Sequence, residues 1–229
     1  MFYLLKKDVL AVLSSLMGWG TIMSFFILMG GYVWVVEGNV LDFGFAELSV
    51  FFNLSPWFFL FLVPALSMNS ISEEVDRGTF SLVRSLPISL NRILFSKLSA
   101  IFIVILITLL PSLLFVYSIS QLGLPRFNFD SSLIIGGYCA LVLLNLAFVS
   151  LGLLASSLTS KQPFAFLLGV SFNFFFWLGG KELGIELTDL SSPYGRMSMG
   201  LLNIGDVLFF CGFVLFLSGL IRIRLNRII

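Results

Sequence analysis

The sequence predicts an all-α integral membrane protein with six transmembrane helices, an N-terminal interfacial helix, and a short cytoplasmic helix between spans 2 and 3. Three observations predict it. Apolar residues make up 59% of the 229 positions, 27 of which are Phe. Charged residues make up only 11%, against roughly 25% in soluble domains. The charges are also clustered, leaving six charge-free stretches: Val9 to Val36, Leu48 to Ser72, Leu98 to Pro125, Ser131 to Ser160, Gln162 to Gly180 and Val207 to Ile221. A bilayer span needs about 20 mostly apolar residues, and most of these stretches meet that length.

The first segment sets Leu4, Leu5, Val9 and Val12 near one helical face with Lys6, Lys7 and Asp8 opposite. Residues 1–15 therefore read as a helix lying in the membrane interface before the first span rises near Gly18. A first span with a polar opening turn fits the same residues. The apolar run is too long for the core of a cleaved leader and lacks a clear small-x-small cleavage site. Glu37 to Glu47 reads as a short acidic loop.

The second stretch contains Pro56 and Pro64 and the third Pro111. Each removes a backbone donor and strains the preceding turn. The fourth carries Gly136, Gly137, Ser150, Gly152, Ser156 and Ser157, small residues that let helices approach closely in lipid. Gly152 with Ser156 reads as ordinary bundle packing. A tight turn, Thr159 to Pro163, joins the fourth and fifth spans. Phe172, Phe175, Phe176 and Trp177 fit either lipid or an interface, with lipid slightly favoured. The last stretch has 15 uncharged residues, about 22 Å of helix against a hydrocarbon core of about 30 Å. Arg222 snorkelling at one end, and Leu201, Leu202 and Ile204 at the other, would lengthen it. The segment 181–206 then reads as an outer segment with short helices able to re-enter the membrane. Asp206, beside Gly205, is expected to cap the last helix.

Orientation follows from basic residues in short loops. With both termini cytoplasmic, ten lie inside (Lys6, Lys7, Arg77, Arg84, Arg92, Lys97, Lys161, Arg222, Arg224, Arg227) and three outside (Arg126, Lys181, Arg196). Pulling Glu73 to Lys97 into lipid would immerse seven charges, at roughly 20 kcal/mol in all. That segment is therefore expected in water.

Several chemistries lack their residues. No His is present, which removes Ser-His-Asp and Cys-His catalysis and His-ligated metal or haem. Cys139 and Cys211 lie in apolar runs and read as small buried hydrophobes. No span carries an ionisable residue at its centre, which argues against an ion-coupled carrier. No cofactor site and no nucleic-acid contact is indicated. The phosphate-loop pattern G-x-x-x-x-G-K-[ST] does not occur, since Gly180-Lys181 is followed by Glu182.

Between spans 2 and 3, Ser70 followed by Glu73 fits a capping box, Gly78 breaks the helical run, and Thr79 can cap a short helix ending before Pro87. Phe80, Val83 and Leu86 share one face beside Arg84, and Ser89 can cap the next span. Such a helix suits docking in a partner's groove; a loop folding on its own bundle fits equally well.

The pattern Ser72-Glu73-Glu74, Arg77-Gly78-Thr79, Leu86-Pro87-Ile88-Ser89 and Lys97 resembles permeases of the ABC-2 type. Leu54-Ser55-Pro56-Trp57, Val63-Pro64-Ala65 and the run Val116 to Pro125 resemble more narrowly the gliding-motility-associated GldF permeases. Ser96 stands where Gly is common in that group, and Met199 and Asn203 where Arg and Asp are frequent. The resemblance implies a single membrane domain over residues 1–229. It would be a non-catalytic half-transporter of the bacterial inner membrane, pairing with itself or with a related membrane subunit that carries an outer domain, and riding on a separate ABC ATPase. It further implies that Glu73, Glu74, Arg77, Gly78, Thr79, Phe80, Val83, Arg84, Leu86 and Pro87, within the segment 73–97, couple that ATPase to the spans, with Phe80 and Val83 in the ATPase groove and Arg84 at its rim. A non-transporting scaffold or mechanical coupler, and a polysaccharide, lipid or haem exporter, are the alternatives.

Overall fold

In the computed structural model, residues 2–35, 48–80, 89–122, 130–182, 184 and 188–227 are described. The chain is all-helical over these residues: α1 (Phe2–Leu13), α2 (Leu16–Trp34), α3 (Ser49–Asp76), α4 (Leu90–Leu122), α5 (Ser131–Leu158), α6 (Gln162–Phe174), α7 (Ser191–Ser198) and α8 (Ile204–Arg227). A π-helical turn, Phe175–Gly179, and a further turn, Gly180–Glu182, continue α6. Six helices among the described residues are long and apolar enough to cross a membrane: α2, α3, α4, α5, α6 with its π turn, and α8. The six-span expectation therefore holds. The acidic loop Glu37 to Glu47 lies outside the described residues.

The small residues of α5 explain the layout. Its span is 72% buried inside the bundle, against 22% for those of α6 and α8. It packs on α3, α6, α7 and α8, so it is the axis around which the others gather. A Cβ on Gly152 would meet Ser67 Oγ at 2.1 Å, so that glycine serves packing within the bundle, as its spacing suggested. The two cysteines do not follow expectation. Both are exposed on the outside of the bundle, because α5 and α8 each keep one face turned away from their neighbours.

The α1 helix is separate from the first span. Ser15 ends the corner between them, its Oγ accepting from Gly18 N at 3.0 Å. Leu4, Leu5, Val9 and Val12 are half-buried while Lys6 and Lys7 are exposed, matching the two-faced pattern.

Span α3 is interrupted in a regular way. Pro56 and Pro64 lack the N–H that would reach the carbonyls of Phe52 and Leu60, four residues back. Each freed carbonyl receives a side chain from elsewhere. Tyr194 Oη donates to Phe52 O at 2.5 Å, and Asn173 Nδ2 donates to Leu60 O at 3.3 Å. A third replacement lies eight residues further on. Ser156 Oγ donates to Met68 O at 2.9 Å and accepts from Ile71 N and Ser72 N at 3.1 and 3.0 Å. Irregular backbone survives at membrane depth only where neighbours satisfy it in this way. Burial pushes the Tyr194 hydroxyl far above the usual phenol range, so it remains a donor. Tyr194→Phe leaves Phe52 O without its donor and lowers stability by about 1–3 kcal/mol, measurable as a reduced melting temperature in detergent.

The last third of the chain revises several expectations. Trp177 is buried and packs edge-on against Phe148 and Tyr194, whereas Phe174 and Phe175 are exposed. The π turn frees Phe176 O, which accepts from Leu190 N at 3.1 Å and ties the return segment to α6. The short α7 starts beneath Asp189, whose carboxylate accepts from the Ser191 and Ser192 amides and hydroxyls. Burial raises that carboxyl and these donors outweigh it, holding it below the usual range. Asp206 does not cap α8. Asn203 does, its Oδ1 accepting from Gly205 N at 3.1 Å. Asp206 instead forms an ion pair with Arg196 at 2.5 Å, its side chain almost fully buried. Helix α8 gains its length by running to Arg227 and by starting at Ile204, while Leu201 and Leu202 stay in the exposed link before it.

Candidate functional site

The segment singled out by its motif departs from the end of α3 and returns at the start of α4, where α1 also packs. Span α3 runs without a break to Asp76, so Ser70 and Glu73 form no capping box. Ser70 is inside the helix, and that pattern fails because Ser156 and Lys97 hold this stretch helical from the side. Gly78 ends the helix as expected. Its φ of 67° is left-handed, and its N–H bonds Val75 O at 3.1 Å.

The predicted residues fall into three groups. Glu73 pairs with Arg77 one turn on at 2.7 Å, and Arg77 is largely exposed. This surface pair contributes a few tenths of a kcal/mol, about 0.3–0.5. Glu74 pairs instead with Lys97 at 2.8 Å, across the gap between α3 and α4. Lys97 has only 7% of its side chain exposed. It also donates to Ser70 O at 2.5 Å, so its ammonium is held by α3 on two sides. Thr79 Oγ1 donates to Glu74 O at 3.3 Å and folds the chain back under the helix end.

Phe80 is 5% exposed, packed in the common core. In the isolated chain this ring packs within the bundle. Val83, Arg84, Leu86 and Pro87, and with them the rest of the Thr79 to Leu86 helix, lie outside the described residues.

Two features escaped the motif. Ser96 Oγ donates to Asp8 Oδ2 at 2.6 Å and pins α1 to α4. The replacement of a common Gly by Ser at 96 is the signal that pointed there. Asn69, one turn before Glu73, has a buried Oδ1 without a hydrogen-bond partner, as does Glu74 Oε2. A weaker exposed pair, Lys161 to Asp76 at 3.6 Å, links the α5–α6 turn to the same end of α3.

Ionic and hydroxyl contacts thus tie α1, α3 and α4 together where the motif segment leaves and rejoins the bundle. No group of metal-ligating side chains occurs among the described residues. Glu74 and Lys97 join α3 to α4 close to the points where the described chain leaves α3 and enters α4.

A family model described as ABC-2 family transporter protein matches residues 3–202 of the chain. No curated protein matches it significantly.

Proposed function

With that match over most of its length, the chain belongs to the ABC-2 family of membrane transporter proteins, and from this premise we propose that it is the permease subunit of an ATP-driven transporter whose hydrolysis takes place on a partner ATPase chain. The observation that carries the reading is the Glu74–Lys97 pair, its ammonium buried, at the end of α3 from which the motif segment departs. It clamps two spans to the segment that the resemblance assigns to ATPase contact. Closure of the ATPase pair moves the segment after Thr79, and the clamp converts that movement into a joint shift of α3 and α4 between two states. Phe80 supplies the fixed end of the lever, while Val83 and Leu86 are the groove-filling anchors and Arg84 a rim charge.

Both termini and the segment 73–97 face the cytoplasm in this reading, supported by the ten basic residues against three. The α1 helix lies in the inner interface and the segment 181–206 on the outer side, its short helix α7 tucked against the bundle. The spans of α2 and α6 are 28% and 22% buried and expose Trp19, Met23, Phe164 and Leu167. They form the contact with a second permease copy or a related subunit carrying an outer domain. The stretches around Pro56, Pro64 and Leu122 to Pro125 support the narrower assignment to a gliding-motility-associated complex of the bacterial inner membrane, the GldF kind of permease.

The test combines topology and pull-down. In a background of Cys139→Ser with Cys211→Ser, a cysteine replacing Ser85 should label only from the cytoplasmic side. Val83→Ala with Leu86→Ala should release the ATPase from affinity-purified complexes while the permease still inserts, since truncating a buried anchor costs about 2 kcal/mol or more. Arg84→Ala should change salt dependence more than retention. Full ATPase retention by the double variant, or labelling from outside, refutes the coupling scheme. Co-purification without a subunit bearing an outer domain refutes the gliding assignment alone.

A further inference from the structure

Helix α3 is bound to its neighbours in two different ways on either side of residues 68–72. Before that stretch, Val63, Pro64, Leu66 and Ser67 are buried. They lie in a notch of small residues: a Cβ on Gly152 of α5 would meet Ser67 Oγ at 2.1 Å, and one on Gly169 of α6 would meet Pro64 Cβ at 3.0 Å. Asn173 of α6 holds Leu60 O one turn earlier. After that stretch, no residue of 73–79 is buried. Its ion pairs with other elements are Glu74 to Lys97 and the exposed Asp76 to Lys161.

Ser156 of α5, fully buried, enters α3 at this boundary. Its Oγ donates to Met68 O at 2.9 Å and accepts from Ile71 N and Ser72 N at 3.1 and 3.0 Å. A hydroxyl has one donor and two acceptor positions, so this one is completely used, and all of it on α3. The Ser72 hydroxyl also donates to Met68 O, four residues back on its own helix. A side chain inserted at the i to i−4 ladder, and a serine bonding back in this way, are both causes of helix bending. The same groups have a second complete set of partners. With Ser156 withdrawn, the Ile71 and Ser72 amides bond Ser67 O and Met68 O, the carbonyls four residues back. Ser156 Oγ then bonds Gly152 O, four residues back on α5. Every group that the exchange releases finds a partner again, so no buried donor or acceptor is left unpaired to make it costly.

We propose that Ser156 is a withdrawable wedge and residues 68–72 a hinge, about which the stretch 73–79 swings relative to the part of α3 fixed on α5 and α6. Gly152 and Ser156, one turn apart on α5, then have separate duties. The glycine lets α3 approach, and the serine holds it bent. The moving side carries Glu74, so the start of α4 follows through Lys97. The hinge is a property of the bundle itself; it goes beyond the permease reading and needs no ATPase.

The experiment uses the full chain purified in detergent micelles and labelled with carbonyl-¹³C serine and ¹⁵N isoleucine. Only isoleucines that follow a serine are then selected, and these are Ile71 at the hinge and Ile119 far along α4. Relaxation dispersion, which reads exchange on the microsecond to millisecond scale, should show two-state exchange at Ile71 and a flat profile at Ile119. Ser156→Ala removes one of the two states, so the exchange contribution at Ile71 should fall by about tenfold or more. Its melting temperature should change little, because α3 closes its own ladder. Gly152→Ala keeps the hydroxyl but pushes Ser67 away, and should move the Ile71 resonance to the position it takes in Ser156→Ala. A flat profile at Ile71 in the unaltered chain, or exchange that persists in Ser156→Ala, overturns the hinge. So does a large fall in the melting temperature of Ser156→Ala, the result expected of a serine that only satisfies a fixed irregularity.

Discussion

Lys97→Met should lower the stability of the purified chain by about 1–3 kcal/mol, because it leaves the half-buried Glu74 carboxylate without its counter-charge. The ammonium it removes is nearly inaccessible, and it makes two contacts with α3, one to Glu74 and one to Ser70 O. Both losses fall on the same junction. The informative control is the double variant Lys97→Met with Glu74→Leu. Replacing a buried ion pair by apolar groups of similar volume is often neutral, so the double variant should recover most of the lost melting temperature. It should nevertheless uncouple ATP turnover from any movement of α3 and α4 if the pair acts as a clamp. A single variant as stable as wild type would mean that the pair contributes nothing to the junction.

Gly136→Val should be the most damaging change at the opposite end of the bundle. A Cβ at that position would sit 2.4 Å from Met197 O and 2.8 Å from Gly200 Cα. Both are backbone atoms and cannot swing aside. The backbone of α7 must then move off α5, taking Tyr194 away from Phe52 O and exposing Met197 and Leu190, which are fully buried. Overpacking in a tight site costs about 1–3 kcal/mol, and the lost Tyr194 bond adds to it. The expected readouts are a large fall in melting temperature and protease cleavage between α7 and α8. Gly195→Val tests the cause, since a Cβ there meets nothing within 4 Å; it should be well tolerated beyond its modest effect on helix propensity.

The sequence makes the spans legible because the cost of a charge in lipid is local: each charge rules its own position out of the bilayer, whatever the rest of the chain does. The amphipathic α1 and the helix break at Gly78 are legible for the same reason, since each depends on a few adjacent residues. The pairing at the candidate site is not. Nothing about Lys97 alone shows that it turns inward to Glu74 rather than outward like Arg92. That choice is made by how α3 and α4 are placed by their packing on the other helices, chiefly α3 on α5 and α4 on α1. Phe80 is ambiguous in the same way, since an apolar face at helical spacing looks identical whether it is meant for a partner or for the chain's own core. The capping pattern at Ser70 and Glu73 was overridden by tertiary contacts. Asn203, by contrast, takes the capping place expected of Asp206, whose carboxylate turns to Arg196 instead.

The three carbonyls of α3 that turn to other elements, Phe52, Leu60 and Met68, are each eight residues apart and are served by Tyr194, Asn173 and Ser156. A helix turns by about 100° per residue. Adding or deleting one residue anywhere between the first and last of these positions would swing the carbonyls beyond it away from their donors by that angle. The length of this stretch is thus set as strictly as its composition. Its homologues are expected to differ here by substitution and to carry their insertions in the loops on either side.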